Sequence, residues 1–379
     1  MRALKNIVFF SLLGLLCIPL AQQVLNPFEE TPLSGAYNLP DTVPLTFENW
    51  TSGQFQEKYS PYYEYDIGFR PSFVRLRNQL YYWTYHKSTN YISVGKEDQL
   101  YAWNYWAPYW GLDLVPKDSV KLRVNRVLQL KEILDSMGVP LLVVIGANKV
   151  RYMPEYLPED LQKEERLPNN YRNYLPALAQ AGITVVDFNE VFSALKPEVG
   201  RAMFPNSGTH WSAYGMGMCL DSIISFTDRN RNGVIHDLTV EGYIRRDSIV
   251  DSDIDLSNDL NLWYPIDRQQ NLFPKIEVRK NGRKAKLFVI GDSFYWNIYQ
   301  LDAFYEVVDS SSHYWYYNNT DIGFDGTRHP VEEYNAVKLA SEADAVILLA
   351  TEANLHLFPF EFPKEFLQQL ANRKEHPQR

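Results

Sequence analysis

The sequence predicts an α/β fold: a mostly parallel sheet with helices on both faces, preceded by an N-terminal apolar segment and interrupted by one irregular insertion. Three observations point there. Amphipathic stretches of helical period alternate with short apolar runs; Gly and Pro stand at the joints; and polar residues collect just after the apolar runs, where sheets of this kind bind ligands.

Taken in order, residues 1–25 carry Arg2 and Lys5 and then an apolar run from Ile7 to Ala21, the pattern of a signal peptide or membrane anchor. Pro19 at the minus-three position fits signal cleavage after Ala21 poorly, and Leu15 and Leu16 leave no small residue before Cys17, so an uncleaved or inefficiently cleaved anchor is expected. Residues 26–50, with Pro27, Pro32, Pro40 and Pro44, read as an extended tether. Phe55 to Tyr85 is helical in pattern, with Arg70, Arg75 and Arg77 on one face.

Lys117 to Met137 is an amphipathic helix stopped by Gly138, followed by a buried strand from Pro140 to Ile145. The step repeats. Tyr171 to Ala181 leads through Gly182 to the strand Ile183 to Val186; Ser212 to Phe226 is a helix; Leu287 to Ile290 is a strand; Glu333 to Ser341 precedes the strand Ala345 to Ala350. Asn148, Asp187, Ser293 and the segment beginning at Thr351 fall at strand ends. Residues 228–281 read as the insertion. Within it DRNRNGVIHD imitates the start of a calcium loop but places Thr239 where a bidentate Glu is required, so a solvated turn is expected and no metal. The main domain is expected to span 51–365, followed by a charged tail, 366–379.

Composition narrows the function. The 379 residues, 45% hydrophobic, can bury a sizeable core, and a net charge of -9 without a basic patch excludes nucleic acid as a partner. Two cysteines, Cys17 and Cys219, provide no zinc framework and no structural disulfide. Aromatics make up 15% of the chain, including 26 Tyr and 9 Trp. The clusters at 81–86, 100–111 and 313–319 are therefore candidate platforms for sugar rings, or alternatively core and hairpin packing.

Chemistry concentrates in two segments. In FVIGDSFYW (288–296) an apolar strand runs into Gly291, Asp292 and Ser293, the way a nucleophile is presented on a tight strand-to-helix turn. A serine hydroxyl needs a base, and SGTHWSAYG (207–215) offers His210. Asp292 is expected to brace the turn. The backbone N–H of Ser293 is one candidate oxyanion donor, with Asn148 a second by position; Trp211 and Asn354 are further candidates for oxyanion or substrate contact.

The pairing of GDS with THWS resembles the SGNH-hydrolase-like domain of the alginate O-acetyltransferases AlgJ and AlgX. The segments YISVGKEDQLYAW (91–103) and VVIGANKVRYMPEYLP (143–158) and the arm from Gly53 to Gln79 also resemble that family, so the likeness covers roughly residues 50–360. It implies a three-layer α/β/α, flavodoxin-like sheet and a ping-pong reaction. Ser293 would take an acetyl group from a membrane-bound O-acyltransferase partner and pass it to a hydroxyl of an extracytoplasmic polysaccharide, with His210 as general base. No cofactor is implied, and the location would be the periplasm or cell envelope, anchored in the inner membrane.

One position departs from the family. Its His follows an Asp two residues earlier, and here that residue is Gly208. Ser207 or Asp187 could orient the ring instead. An acetylesterase using the same residues, and an inactive glycan-binding scaffold, are the alternatives.

Overall fold

In a computed structural model the described residues are 2–35, 40–162, 167–266 and 271–375. They form two compact units: residues up to Asn90 with Ser257–Ile266, and Tyr91–Leu256 with the chain from Asp267 onward.

The first unit is helical. Helix α1 (Arg2–Leu25) is long and apolar enough to cross a membrane, with a mean hydropathy of 2.0 over its best window and little burial. Its 24 residues reach about 36 Å, against a hydrocarbon core of about 30 Å. Helices α2 (Phe47–Thr51), α3 (Gln54–Asp66) and α4 (Arg70–Tyr85) follow. Gly68, between α3 and α4, lies against α1 so closely that a Cβ there would be 2.1 Å from the carbonyl oxygen of Pro19. The tether runs along α4: Ser72 donates to Glu30 through N–H and hydroxyl, and Arg75 donates to the carbonyls of Thr31 and Pro32.

The second unit has the mixed α/β architecture that the sequence predicts, around a mostly parallel sheet. A short hairpin, β1 (Ile92–Val94) with β2 (Leu100–Ala102), leads into α5 (Trp103–Tyr109) and α6 (Lys117–Ser136). Then come β3 (Leu141–Gly146), α7 (Lys149–Tyr152), α8 (Asn170–Gln180), β4 (Val185–Asp187), α9 (Phe188–Val199) and α10 (Ala213–Asn230). The insertion folds as a long antiparallel ribbon, β5 (Asp237–Arg246) with β6 (Asn271–Arg279), with α11 (Asp255–Asp259) between its strands. The chain continues through β7 (Leu287–Gly291), α12 (Ser293–Ile298), α13 (Asp302–Val307), β8 (His313–Tyr316), β9 (Thr320–Ile322), β10 (Arg328–Pro330), α14 (Ala336–Glu342), β11 (Ala345–Thr351) and α15 (Phe362–Glu375).

The main sheet has the order β10-β9-β8-β7-β11-β3-β4, with β8, β7, β11, β3 and β4 parallel and the last two hairpin strands antiparallel at one edge. Every residue of β3, β7 and β11 is buried, as near-continuous apolar runs in a sheet covered on both faces must be. On one face α6, α8, α14 and α15 supply Val124, Val127, Leu130, Leu178, Val337 and Phe366 to the core. Gly291 pairs with Leu349, and Thr351 with Gly146, so the carboxyl ends of the three central strands lie side by side. The calcium-like stretch is a turn in which Asp228 accepts from the N–H of Ile235 and Gly233 adopts a positive φ of 74°.

Candidate active site

At the end of β7 the chain must turn sharply without losing its sheet neighbours. Gly291 makes this possible: a Cβ there would lie 2.9 Å from the carbonyl oxygen of Leu349. Asp292 then caps α12, its Oδ1 accepting from the N–H of Phe294 at 3.1 Å. Its Oδ2 accepts from the N–H and hydroxyl of Thr351 at 2.7 and 2.9 Å and from the amide of Asn354 at 2.9 Å. Burial pushes this carboxyl above the usual carboxylate range, and those four donors pull it back. Asp292 is thus a buried brace that ties β7 to β11, and it leaves Ser293 half-exposed at the head of α12.

His210 meets that serine. Its Nε2 lies 2.9 Å from Ser293 Oγ, and its ring packs 4.9 Å from the ring of Phe294, which also supports Trp211 at 5.0 Å. The imidazole's other nitrogen, Nδ1, lies 3.0 Å from Asp255 Oδ2. Asp255 Oδ1 accepts from the N–H of Thr209 at 2.8 Å, so one carboxylate fixes both the ring and the backbone just before it. With Nδ1–H directed at a carboxylate, Nε2 is the free acceptor and the serine hydroxyl donates to it.

The loop that carries His210 is held from below by Lys149. Its ammonium is fully buried and donates to the carbonyls of Pro205, Asn206 and Gly208 at 2.6, 3.0 and 2.8 Å. Burial pushes its pKa down to about 7, against the field of Asp255, which raises it. Asn206 is also gripped by the side chain of Gln99 and by the N–H of Leu100. Three protons on three carbonyls leave this ammonium no capacity for substrate.

Several residues expected at the site do other work. Asn148 is fully buried as the cap of α7: its amide donates to the carbonyl of Tyr105 and its oxygen accepts from the N–H of Val150, so it offers nothing to an oxyanion. Trp211 is also fully buried, wedged among Phe188, Phe192 and Phe294, and cannot touch substrate. The Asn354 amide is taken by Asp292, Tyr317 and Thr351, which makes it part of the brace. Neither proposed ring orienter reaches His210. Asp187 caps α9 and accepts from the Tyr171 hydroxyl at 2.7 Å, and the Ser207 hydroxyl is buried without a hydrogen-bond partner among the described residues.

Asp255 is the residue that the sequence did not disclose. A Cβ on Gly208 would lie 2.4 Å from the carbonyl oxygen of Ser252 and 3.0 Å from Asp253, so the missing side chain makes room for the segment that brings Asp255 in. Asp253, buried behind it, has its carboxyl pushed up to about 6 by burial. The wall of the site is aromatic: Tyr105 lies 6.3 Å from Phe294, and burial, with Asp292 next in effect, keeps its phenol protonated far above its ordinary value. Tyr316 ends β8 beside Gly291, whose carbonyl accepts from the N–H of the next residue, Tyr317. Of the 313–319 cluster, Tyr314 and Trp315 belong to the core.

No match is found among curated proteins. Among solved structures, the O-acetyltransferase domain of Pseudomonas putida AlgJ is 16% identical, with a TM-score of 0.47, over 74% of this chain and 99% of that one. Bacillus cereus PatB1, solved with a sulfonyl adduct, is 11% identical with a TM-score of 0.43, over 72% and 98%. Pseudomonas aeruginosa AlgX is 14% identical with a TM-score of 0.36, over 69% of this chain but only 55% of its own. Residues 109–238, which carry His210 and its loop, match the family model described as the SGNH hydrolase-like domain of the acetyltransferase AlgX.

Proposed function

We propose that this chain is an extracytoplasmic O-acetyltransferase that moves an acetyl group through an acyl-serine intermediate to hydroxyls of a polysaccharide. The observation that carries the reading is the line from Ser293 Oγ through His210 to Asp255, at 2.9 and 3.0 Å, in a chain with an acetyltransferase family segment. Ser293 Oγ attacks the acetyl carbonyl while His210 Nε2 takes its proton; the carbonyl π pair moves to oxygen and returns as the donor group leaves, and His210 gives that group the proton. In the second half a sugar hydroxyl attacks the acetyl-serine, His210 takes its proton, and the proton returns to Ser293. The backbone N–H of Ser293 has no acceptor among the described residues and is available to the tetrahedral oxyanion.

Asp255 holds the tautomer that both halves need and stabilises the imidazolium formed in each. Its place beside His210 answers the objection raised by Gly208 and so supports an active site over an inactive scaffold, a reading that drew on the aromatic clusters as well. The donor we infer is a membrane-bound O-acyltransferase, which would present acetyl groups at the outer face of the membrane that α1 enters. That placement is supported by the length and apolarity of α1.

The test is turnover of a chromogenic acetyl ester with and without oligosaccharide acceptor, combined with mass spectrometry of the intact chain. Transient acetylation lost in Ser293→Ala, with acetylated sugar formed, is the expected result. Hydrolysis unaffected by any acceptor, with no acetylated sugar, would make the protein an acetylesterase.

A further inference from the structure

Helix α4 is built inside out. Phe73, Leu76, Leu80 and Trp83 recur at steps of three, four and three residues and share one helical face, yet they are 51, 38, 52 and 62% exposed. The residues that α4 buries are polar. Asn78 donates to the carbonyl of Leu260 at 2.9 Å and accepts from the Thr89 hydroxyl at 2.8 Å; Gln79 accepts from the N–H of Tyr264 at 2.9 Å. A helix folded against a water-soluble core turns the opposite way, because burying the apolar stripe is what stabilises it.

The stripe continues past the helix. Trp83 stacks on Tyr264 with ring centroids 5.9 Å apart, and Phe73, Leu76 and Trp263 line an apolar groove together with Leu15 and Ile18 of α1. Those two positions lie about 10–15 Å along the helix from its end at Leu25, level with the half of α1 that the tether leaves. Charge separates α4 from the rest of the chain: it carries Arg70, Arg75 and Arg77 and no Asp or Glu, in a protein of net charge -9.

We propose that α4 lies in the boundary between headgroups and acyl chains of the bilayer that α1 enters, with its stripe on the lipid and its arginines at anionic headgroups. This rests on the reading of α1 as a membrane anchor. Continuity with α1, the local positive charge and the mixture of Trp, Tyr and Arg that marks membrane interfaces select lipid as the occupant. The consequence for function is geometric: the first unit would be held flat against the membrane by two elements instead of swinging from one.

The test uses the full chain in vesicles of phosphatidylcholine with and without phosphatidylglycerol. A nitroxide is placed by Leu80→Cys, or by Lys121→Cys on α6 as an aqueous control, each with Cys17→Ala; Cys219 is buried and does not label. The label at 80 should collide with dissolved oxygen in preference to a water-soluble nickel chelate, the label at 121 the reverse, and the preference at 80 should weaken without phosphatidylglycerol. The pair Leu80→Glu and Trp83→Glu should abolish membrane protection of a label placed by Phe73→Cys while α1 still resists carbonate extraction. Equal nickel access at 80 and 121, or protection at 80 that rises with protein density because a second copy covers it, would overturn the proposal. Carbonate extraction reads the anchor separately, and no arm depends on acyl transfer.

Discussion

The carboxylate of Asp255 reaches His210 because Gly208 has no side chain. The backbone of Ser252 and Asp253 occupies the space where a Cβ on Gly208 would stand, and this segment leads directly to Asp255, whose two oxygens take His210 Nδ1 and the N–H of Thr209.

Asp255→Asn should leave the fold intact and lower kcat by about 10³–10⁴-fold, with little change in KM. The asparagine oxygen can still accept from Thr209, but its NH₂ then faces Nδ1, and the ring must carry its proton on Nε2, where it cannot accept from Ser293. Steady-state kinetics and a thermal melt decide this; a kcat near wild type would show that Asp255 does not set the tautomer. Gly208→Asp should not compensate. It forces the 252–253 backbone away, at a cost of about 1–3 kcal/mol, and lowers activity as well.

Lys149 makes two quantities move in opposite directions with pH. Its folded pKa is lowered to about 7 from 10.5, so below 7 both folded and unfolded chains hold the proton and the burial penalty is fully present. Between 7 and 10.5 the unfolded chain keeps a proton that the folded chain releases, and stability rises by up to about 1.4 kcal/mol per pH unit. Over the same window the ammonium loses one of three donors to the His210 loop, and kcat should fall. Denaturant titration and kinetics at several pH values should show the opposed trends, and Lys149→Met should abolish the rise in stability. Parallel trends would mean that the proton on Lys149 does not hold the loop.

Asp292→Ala should destabilise the second unit by about 3 kcal/mol or more, because it strands buried donors from Phe294, Thr351 and Asn354. Activity should fall even at temperatures where the variant is folded, since the turn that presents Ser293 loses its tie to β11. Retention of wild-type kcat in the folded variant would limit Asp292 to stability.

Arg151 and Glu352 form a buried pair at the same sheet edge, with two contacts of 2.6 Å and the guanidinium stacked 4.1 Å from the ring of Tyr171. Arg151→Met should cost about 3–5 kcal/mol by leaving the Glu352 carboxylate buried without it, and a further Glu352→Leu should recover most of that loss. Chemical denaturation of the single and double variants measures both.

The strands of the sheet were legible because β3, β7 and β11 are apolar throughout and end at Gly or polar residues, a pattern that few other structures produce. The GDS turn was legible because a strand, a Gly and a capping Asp in succession dictate local geometry. Asp255 was not, since it is one of several Asp residues in a polar insertion, and what selects it is a long-range fit against Gly208. Asn148 shows a related ambiguity: a strand-end Asn reads the same whether its amide faces a ligand or caps the next helix. For α4 the period was readable and its orientation was not, because sequence periodicity defines a face without saying what covers it.

The outward stripe of Phe73, Leu76, Leu80 and Trp83 also governs how this protein behaves once extracted. A chain trimmed of α1 still carries a contiguous apolar surface, and surfaces of that kind drive self-association in water. Trimming the N-terminal helix therefore will not by itself yield a monodisperse sample. Detergent, or polar replacements along that one face, will decide whether the chain can be handled in solution.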